Sequence, residues 1–146
     1  MTALPATAAA ACSLAAARGA IRTTRTHVPA LVAGTPPVRA DAALADEVVC
    51  FGGALAVSIA SGGTAGDTAW VAFARDGAGW RVLRAGAGYK LRLVLAGGKL
   101  EVVQPVYRRA DPNCCPTGGF DRVLYRLDGR SLVVAGRRHT RASTSP

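Results

Sequence analysis

The sequence predicts an α+β fold: a mainly antiparallel β-sheet meander of about seven strands with one N-terminal helix, stapled by disulfides. Three observations carry this expectation. Only residues 13–26 space their apolar side chains as a helix does, whereas from Val48 onward apolar positions alternate with period two. Short glycine-bearing turns separate the alternating runs, and such turns join neighbouring strands antiparallel. Four cysteines, Cys12, Cys50, Cys114 and Cys115, stand in a chain short of bulky core residues. Half of its 146 residues are apolar, but many of those are alanine. A core of that kind gains from covalent ties.

Residues 1–11 are small and mostly apolar, ending in four alanines before Cys12. They read as a leader or a signal-peptide remnant, because the basic n-region and long apolar h-region of a secretory signal are absent. Small residues ahead of Cys12 also fit a lipid-acceptor cysteine, although a structural disulfide is the simpler role. Ser13 is placed to cap the helix, with Leu14, Ala17, Ile21 and Val28 along one side. Arg18, Arg22 and Arg25 fall on another face, either as a solvated stripe or as a contact for an anionic surface. Pro29 and Pro36-Pro37 end the helical part, and residues 41–46 suit a short helical turn.

Beyond that turn, Leu55, Val57 and Ile59 alternate with Ala54, Ala56 and Ser58, a strand with one small-residue face. The glycine-rich stretch 61–67 is a loop, and residues 70–75 form the next strand. Asp76-Gly77 is a hairpin signal leading into residues 80–84, and Gly97-Gly98 turns residues 91–95 into residues 100–108. Pro105 marks an edge or a bulge in that strand. Val123, Tyr125 and Leu127 alternate along the next strand, Asp128-Gly129 turns it, and Leu132 to Ala135 closes the sheet. The chain thus divides into a leader (1–11), a single globular domain (12–136) and a basic flexible tail (137–146).

Charge narrows the partners. The formal charge is +9, with sixteen arginines against two lysines, which favours anionic envelope components, lipid headgroups or nucleic acid. No run of about 18 apolar residues provides a transmembrane span. Nucleic-acid binding needs stacking aromatics among basic residues, and Tyr107-Arg108-Arg109 and Tyr125-Arg126 offer such pairs. In a sheet, however, those tyrosines pack inward while the arginines face water.

Catalytic signals are weak. No Gly-x-Ser-x-Gly elbow surrounds Ser61, and the glycines at 85–88 lack the spacing of a phosphate loop. Asp111, Asp121 and Asp128 flank turns, where aspartate satisfies backbone N–H groups. No catalytic residue and no cofactor is assigned, and the expectation is a non-enzymatic protein. Metal binding is disfavoured too. Adjacent cysteines chelate one zinc poorly, and His27 and His139 are the only histidines.

The most constrained stretch is Asp111-Pro112-Asn113-Cys114-Cys115-Pro116-Thr117-Gly118-Gly119. Its prolines forbid helix and its glycines permit a positive φ. The loop and its flanks define a candidate binding surface: Tyr107, Arg108, Arg109, Asn113, Thr117, Tyr125 and Arg126. Four cysteines allow three complete pairings. A vicinal Cys114–Cys115 bridge closes a small ring that strains the disulfide torsion away from about 90°, which favours crossed pairings of Cys114 and Cys115 with Cys12 and Cys50. Each bridge is expected to stabilise by roughly 2–4 kcal/mol, and any pairing demands an oxidising compartment. A vicinal bridge would also permit a thiol–disulfide switch, though without the Cys-x-x-Cys spacing at a helix N-terminus that redox enzymes use.

The Cys-Cys-Pro-Thr-Gly loop, the strand Arg122-Val123-Leu124-Tyr125-Arg126 and the turn Asp128-Gly129 together resemble the LppP/LprE lipoproteins of mycobacteria and other actinobacteria. Cys12 before a helix and Cys50 entering a strand are similar to that family's remaining cysteines. The resemblance covers residues 12–134, and its specific part is the Cys-Cys-Pro loop. It implies an exported protein, often tethered to the outer face of the cell membrane, with no established enzymatic activity. It also implies that Cys12 and Cys50 are mutual partners.

Overall fold

A computed structural model of the chain describes residues 12–141; the predicted leader and the last residues of the predicted tail lie outside them. The first described element is α1 (Leu14–Thr24). Ser13 caps it, its hydroxyl accepting the Ala16 N–H at 3.1 Å. Arg25 ends it in the left-handed region at φ 52°, with its own N–H reaching back to the Ile21 carbonyl. Ala17, Ala20 and Ile21 form the buried face. Of the arginine stripe, Arg22 and Arg25 face solvent and Arg18 is half-buried.

Two short strands, β1 (His27–Val28) and β2 (Val38–Arg39), pair as a small ribbon, and a 3₁₀ turn (Ala42–Leu44) follows with Asp41 as its cap. Eight longer strands build two four-stranded antiparallel sheets. Sheet I runs β3 (Ala45–Phe51), β4 (Ala54–Ala60), β5 (Asp67–Asp76) and β6 (Gly79–Ala87) in chain order. Sheet II does the same with β7 (Arg92–Ala96), β8 (Lys99–Pro105), β9 (Phe120–Asp128) and β10 (Ser131–Thr140). Among the described residues the expected antiparallel pairing and single helix are present, but the strands number ten in three sheets rather than about seven in one.

Sheet I is the middle layer of three. On one face Leu55, Val57, Ile59, Val71 and Phe73 pack against Ala17, Ala20 and Ile21 of α1. On the other, Ala54, Ala56, Trp70 and Ala72 pack against Leu93, Leu100, Tyr125 and Leu132 of sheet II. The small-residue face of β4 is therefore as buried as its bulky face, because small side chains leave room for Trp70 and Tyr125 between the sheets. This burial also hides β3 from the eye. The alternation expected from Val48 onward therefore starts only at β4: Val48, Val49 and Cys50 form an unbroken apolar run because both sides of the strand are covered.

Turns set the registers. Phe51 pairs with Ala54 and Ala96 with Lys99, so Gly52-Gly53 and Gly97-Gly98 are two-residue loops. All four glycines have positive φ, as the type I′ geometry requires. Pro105 ends β8 beyond its last pairing with β7, where no ladder bond is expected of it. The predicted tail boundary at residue 136 needs correction. After a bulge between Val134 and Gly136, β10 continues to Thr140, pairing Arg137 with Val123 and His139 with Asp121. Charged composition suggested a frayed end, but the ladder holds the backbone while Arg138 reaches Glu101 and His139 reaches Asp121.

A buried ion pair ties the outer face of sheet II together. Glu101 of β8 meets Arg122 of β9 at 3.1 Å, and each side chain is only 5% exposed.

Candidate functional site

The loop between β8 and β9, residues 106–119, leaves the sheet through a narrow neck. Val106 N–H donates to the Gly119 carbonyl and Gly118 N–H to the Val106 carbonyl, both at 2.8 Å. Gly118 is required at this neck: a Cβ there would lie 2.4 Å from the Val106 carbonyl oxygen. Inside the neck, Asp111 organises the chain. Its carboxylate accepts the Arg108 N–H, the Thr117 N–H and the Thr117 hydroxyl, each at 2.7 Å. These donors stabilise the ionised form, the Thr117 hydroxyl most of all, and hold the Asp111 carboxyl below the usual carboxylate range.

Asn113 anchors the tip. Its carbonyl accepts the Tyr107 hydroxyl at 2.7 Å and the Lys90 ammonium, while its side-chain oxygen accepts the Tyr89 hydroxyl. The Tyr89 and Tyr107 rings meet edge to face at 5.4 Å, and the Lys90 ammonium lies 5.6 Å from both ring centres. Tyr89 and Lys90 come from the crossover between the two sheets, where Lys90 adopts φ 51° and its N–H donates to the Ala65 carbonyl. Sequence reasoning missed both as partners of the loop. Their one signal is that Tyr89-Lys90 repeats the aromatic–basic pairing of Tyr107-Arg108.

Anchored in this way, the loop presents Cys114 and Cys115 to solvent, joined to each other. The other bridge joins Cys12, beside the helix cap, to Cys50 of β3, with the Cα atoms 6.0 Å apart. No cysteine is free. The crossed pairings favoured by ring strain are thus overturned, and the reason is distance. Cys50 lies opposite Leu55 at one end of sheet I, whereas the loop is bound to the crossover beside Ala65 and Asp67 at the other. The stretch from Leu55 to Ala60 alone spans roughly 17 Å, and a disulfide bridges Cα atoms no more than about 7 Å apart.

The seven candidate surface residues do not form one patch. Tyr107, Asn113 and Thr117 are committed to holding the loop, and the Arg108 and Arg109 side chains are exposed beside it. Tyr125 lies far from them, buried between the sheets with its ring 5.1 Å from Trp70. Arg126 follows it on the opposite, exposed side of β9, as strand alternation dictates.

A second polar feature lies at the start of β5. Asp67 is buried, accepts the Ser58 hydroxyl at 2.8 Å and contacts the Asp46 carboxyl, with Glu47 nearby. Burial, reinforced by the neighbouring carboxyls, pushes its pKa up to about 6.

Among the described residues no group of three or more His, Cys, Asp or Glu side chains could hold a metal ion, and no helix is long and apolar enough to cross a membrane. No protein-family model, curated protein or solved structure matches the chain, so its functional reading rests on geometry and sequence.

Proposed function

We propose that this chain is an exported, non-enzymatic binding module of the cell envelope, lipoprotein-like or secreted, and related to the LppP/LprE lipoproteins. The observation that carries the proposal is the state of the sulfur: all four cysteines are paired, and disulfides persist in oxidising compartments. The net charge of +9 favours anionic envelope components as partners. A loop fixed by Asp111 and Asn113 is the kind of pre-organised surface that binds without a large ordering cost. The test is fractionation of cells expressing the natural gene, with thiol alkylation before lysis. Export predicts recovery from the envelope or medium with all four cysteines resistant to alkylation. A cytosolic protein with free thiols refutes it.

A thiol–disulfide switch at Cys114–Cys115 is the second reading, favoured by the exposure of both residues on the loop. Attack by a thiolate needs access, which this bridge provides. The nucleic-acid alternative loses support, because the Tyr125 ring is buried and Tyr107 packs edge-on against Tyr89.

A further inference from the structure

A cleft of about 620 Å³ lies between the two sheets, walled by β6 on one side and by β8, β9 and β10 on the other. Trp70 and Tyr125 form its floor, with Arg84, Gln104, Asp121 and Arg137 among the polar residues around it. Ligand pockets span about 300–1,000 Å³ and combine aromatic walls with a few polar groups. This one has both features.

The polar groups of the floor are the informative part. Trp70 is 3% exposed and Tyr125 8%. Neither the Trp70 indole N–H nor the Tyr125 hydroxyl has a hydrogen-bond partner among the described residues, yet neither is sealed from solvent. Polar tips of side chains buried to this degree are normally satisfied, and the cleft is the space these two line. Gly86 keeps the indole uncovered: a Cβ at that position would stand 2.4 Å from Trp70 Nε1 and 2.9 Å from Cε2.

The surrounding charges are asymmetric. Two acceptors stand at the rim: Asp121, whose Oδ1 lies 2.7 Å from His139 Nδ1, and the Gln104 side-chain oxygen, which accepts the Tyr89 N–H at 3.2 Å. Arg122 and Arg138 are paired with Glu101. Arg137, by contrast, has no ion-pair partner among the described residues. The Arg84 guanidinium lies 5.1 Å from the Tyr125 ring centre, with Nη1 donating to the Leu132 carbonyl at 3.2 Å, and no carboxylate opposes it. The cleft thus carries two arginines without a carboxylate partner among the described residues and two neutral donors, against the single carboxylate of Asp121.

We infer that the cleft binds a small organic anion, such as an aromatic carboxylate, sulfonate or phosphate, with its acceptor atoms toward the Trp70 indole N–H and the Tyr125 hydroxyl and its charge met by Arg84 and Arg137. This assignment gives the proposed binding module a ligand class and rests on that reading. Binding by the purified protein does not depend on compartment, so failure here and failure of export are separable.

The experiment uses two probes with the same skeleton, 8-anilinonaphthalene-1-sulfonate and uncharged N-phenyl-1-naphthylamine, titrated into the oxidised full-length chain. Probe fluorescence and Trp quenching are followed, with near-UV circular dichroism confirming a packed fold throughout. The expected result is saturable binding at one site, with the sulfonate preferred by about tenfold or more, the value of one charge-assisted hydrogen bond. Arg137→Gln and Arg84→Gln should each remove most of that preference, Tyr125→Phe should weaken the sulfonate, and Arg130→Gln, on an exposed turn outside the cleft, should change nothing. If Arg84→Gln fails to fold, Arg137→Gln decides. Unsaturable binding, equal affinity for the two probes, or an unchanged preference in folded Arg137→Gln would overturn the inference.

Discussion

Replacing Asp67 with Asn isolates the energetic cost of one buried carboxylate. Asp67 ionises near pH 6 in the folded chain, against 3.8 ordinarily, because burial and the neighbouring Asp46 and Glu47 carboxyls disfavour its charge. Between these values the folded state holds a proton that the unfolded state releases, so stability from this group is full at low pH and falls as pH rises through 6. At about 1.4 kcal/mol per pH unit, the loss approaches about 3 kcal/mol above pH 7 and is under about 1 kcal/mol at pH 4. Asn cannot ionise, yet its side-chain oxygen still accepts the Ser58 hydroxyl that Asp67 accepts at 2.8 Å. Asp67→Asn should therefore stabilise the protein by about 2 kcal/mol more at pH 7.5 than at pH 4. Differential scanning calorimetry should show this as a Tm gain about 7 °C larger at the higher pH. Equal gains at both pH values, or destabilisation at pH 7.5, would refute the reasoning.

The two disulfides should differ sharply under mutation. Replacing Cys12 and Cys50 with Ala opens a bridge between residues 38 apart in sequence and should cost about 3–4 kcal/mol in denaturant unfolding. The same change at Cys114 and Cys115 releases no long loop and should cost less than about 1 kcal/mol. Asp111→Ala removes the acceptor for two N–H groups and a hydroxyl. Hydrogen exchange at the Arg108 and Thr117 amides should then quicken selectively. Acidification through the depressed Asp111 pKa should lower the protection factors of the same amides in the wild type, relative to intrinsic exchange at each pH, because protonation takes away the charge that those donors stabilise. Glu101→Ala takes the carboxylate from a guanidinium only 5% exposed and should cost roughly 3–5 kcal/mol; a loss below about 1 kcal/mol by urea titration would show that the pair is not structural.

Much of the fold was legible because it rests on local signals. Ser13 caps the helix it was expected to cap, and the alternation of Leu55, Val57 and Ile59 marked β4. The Asp76-Gly77 and Asp128-Gly129 signals fell at hairpins. What escaped depends on contacts across the chain. β3 carries an unbroken apolar run because α1 and sheet II cover its two faces, and β1 and β2 are too short to show any period. The switch from sheet I to sheet II at Tyr89-Lys90 left no periodic trace, so one meander was expected where two are stacked. At the loop, Asp111 and the proline–glycine frame were readable, but Tyr89 and Lys90 reach Asn113 across 24 and 23 residues respectively. Tyr125 was drawn to the loop by its neighbour Arg126, and the second layer buried it instead.

In the folded chain the sulfur is fully oxidised, with the helix cap tied to β3 and the loop cysteines tied to each other. Proteolysis of natively produced protein without reduction, followed by mass spectrometry of the peptides, tests it most directly. The expected products are one cross-linked species joining Cys12 to Cys50, and one linear loop peptide two hydrogens lighter than its dithiol form. Free thiols in folded protein, or a peptide linking Cys114 or Cys115 to Cys12 or Cys50, would contradict it.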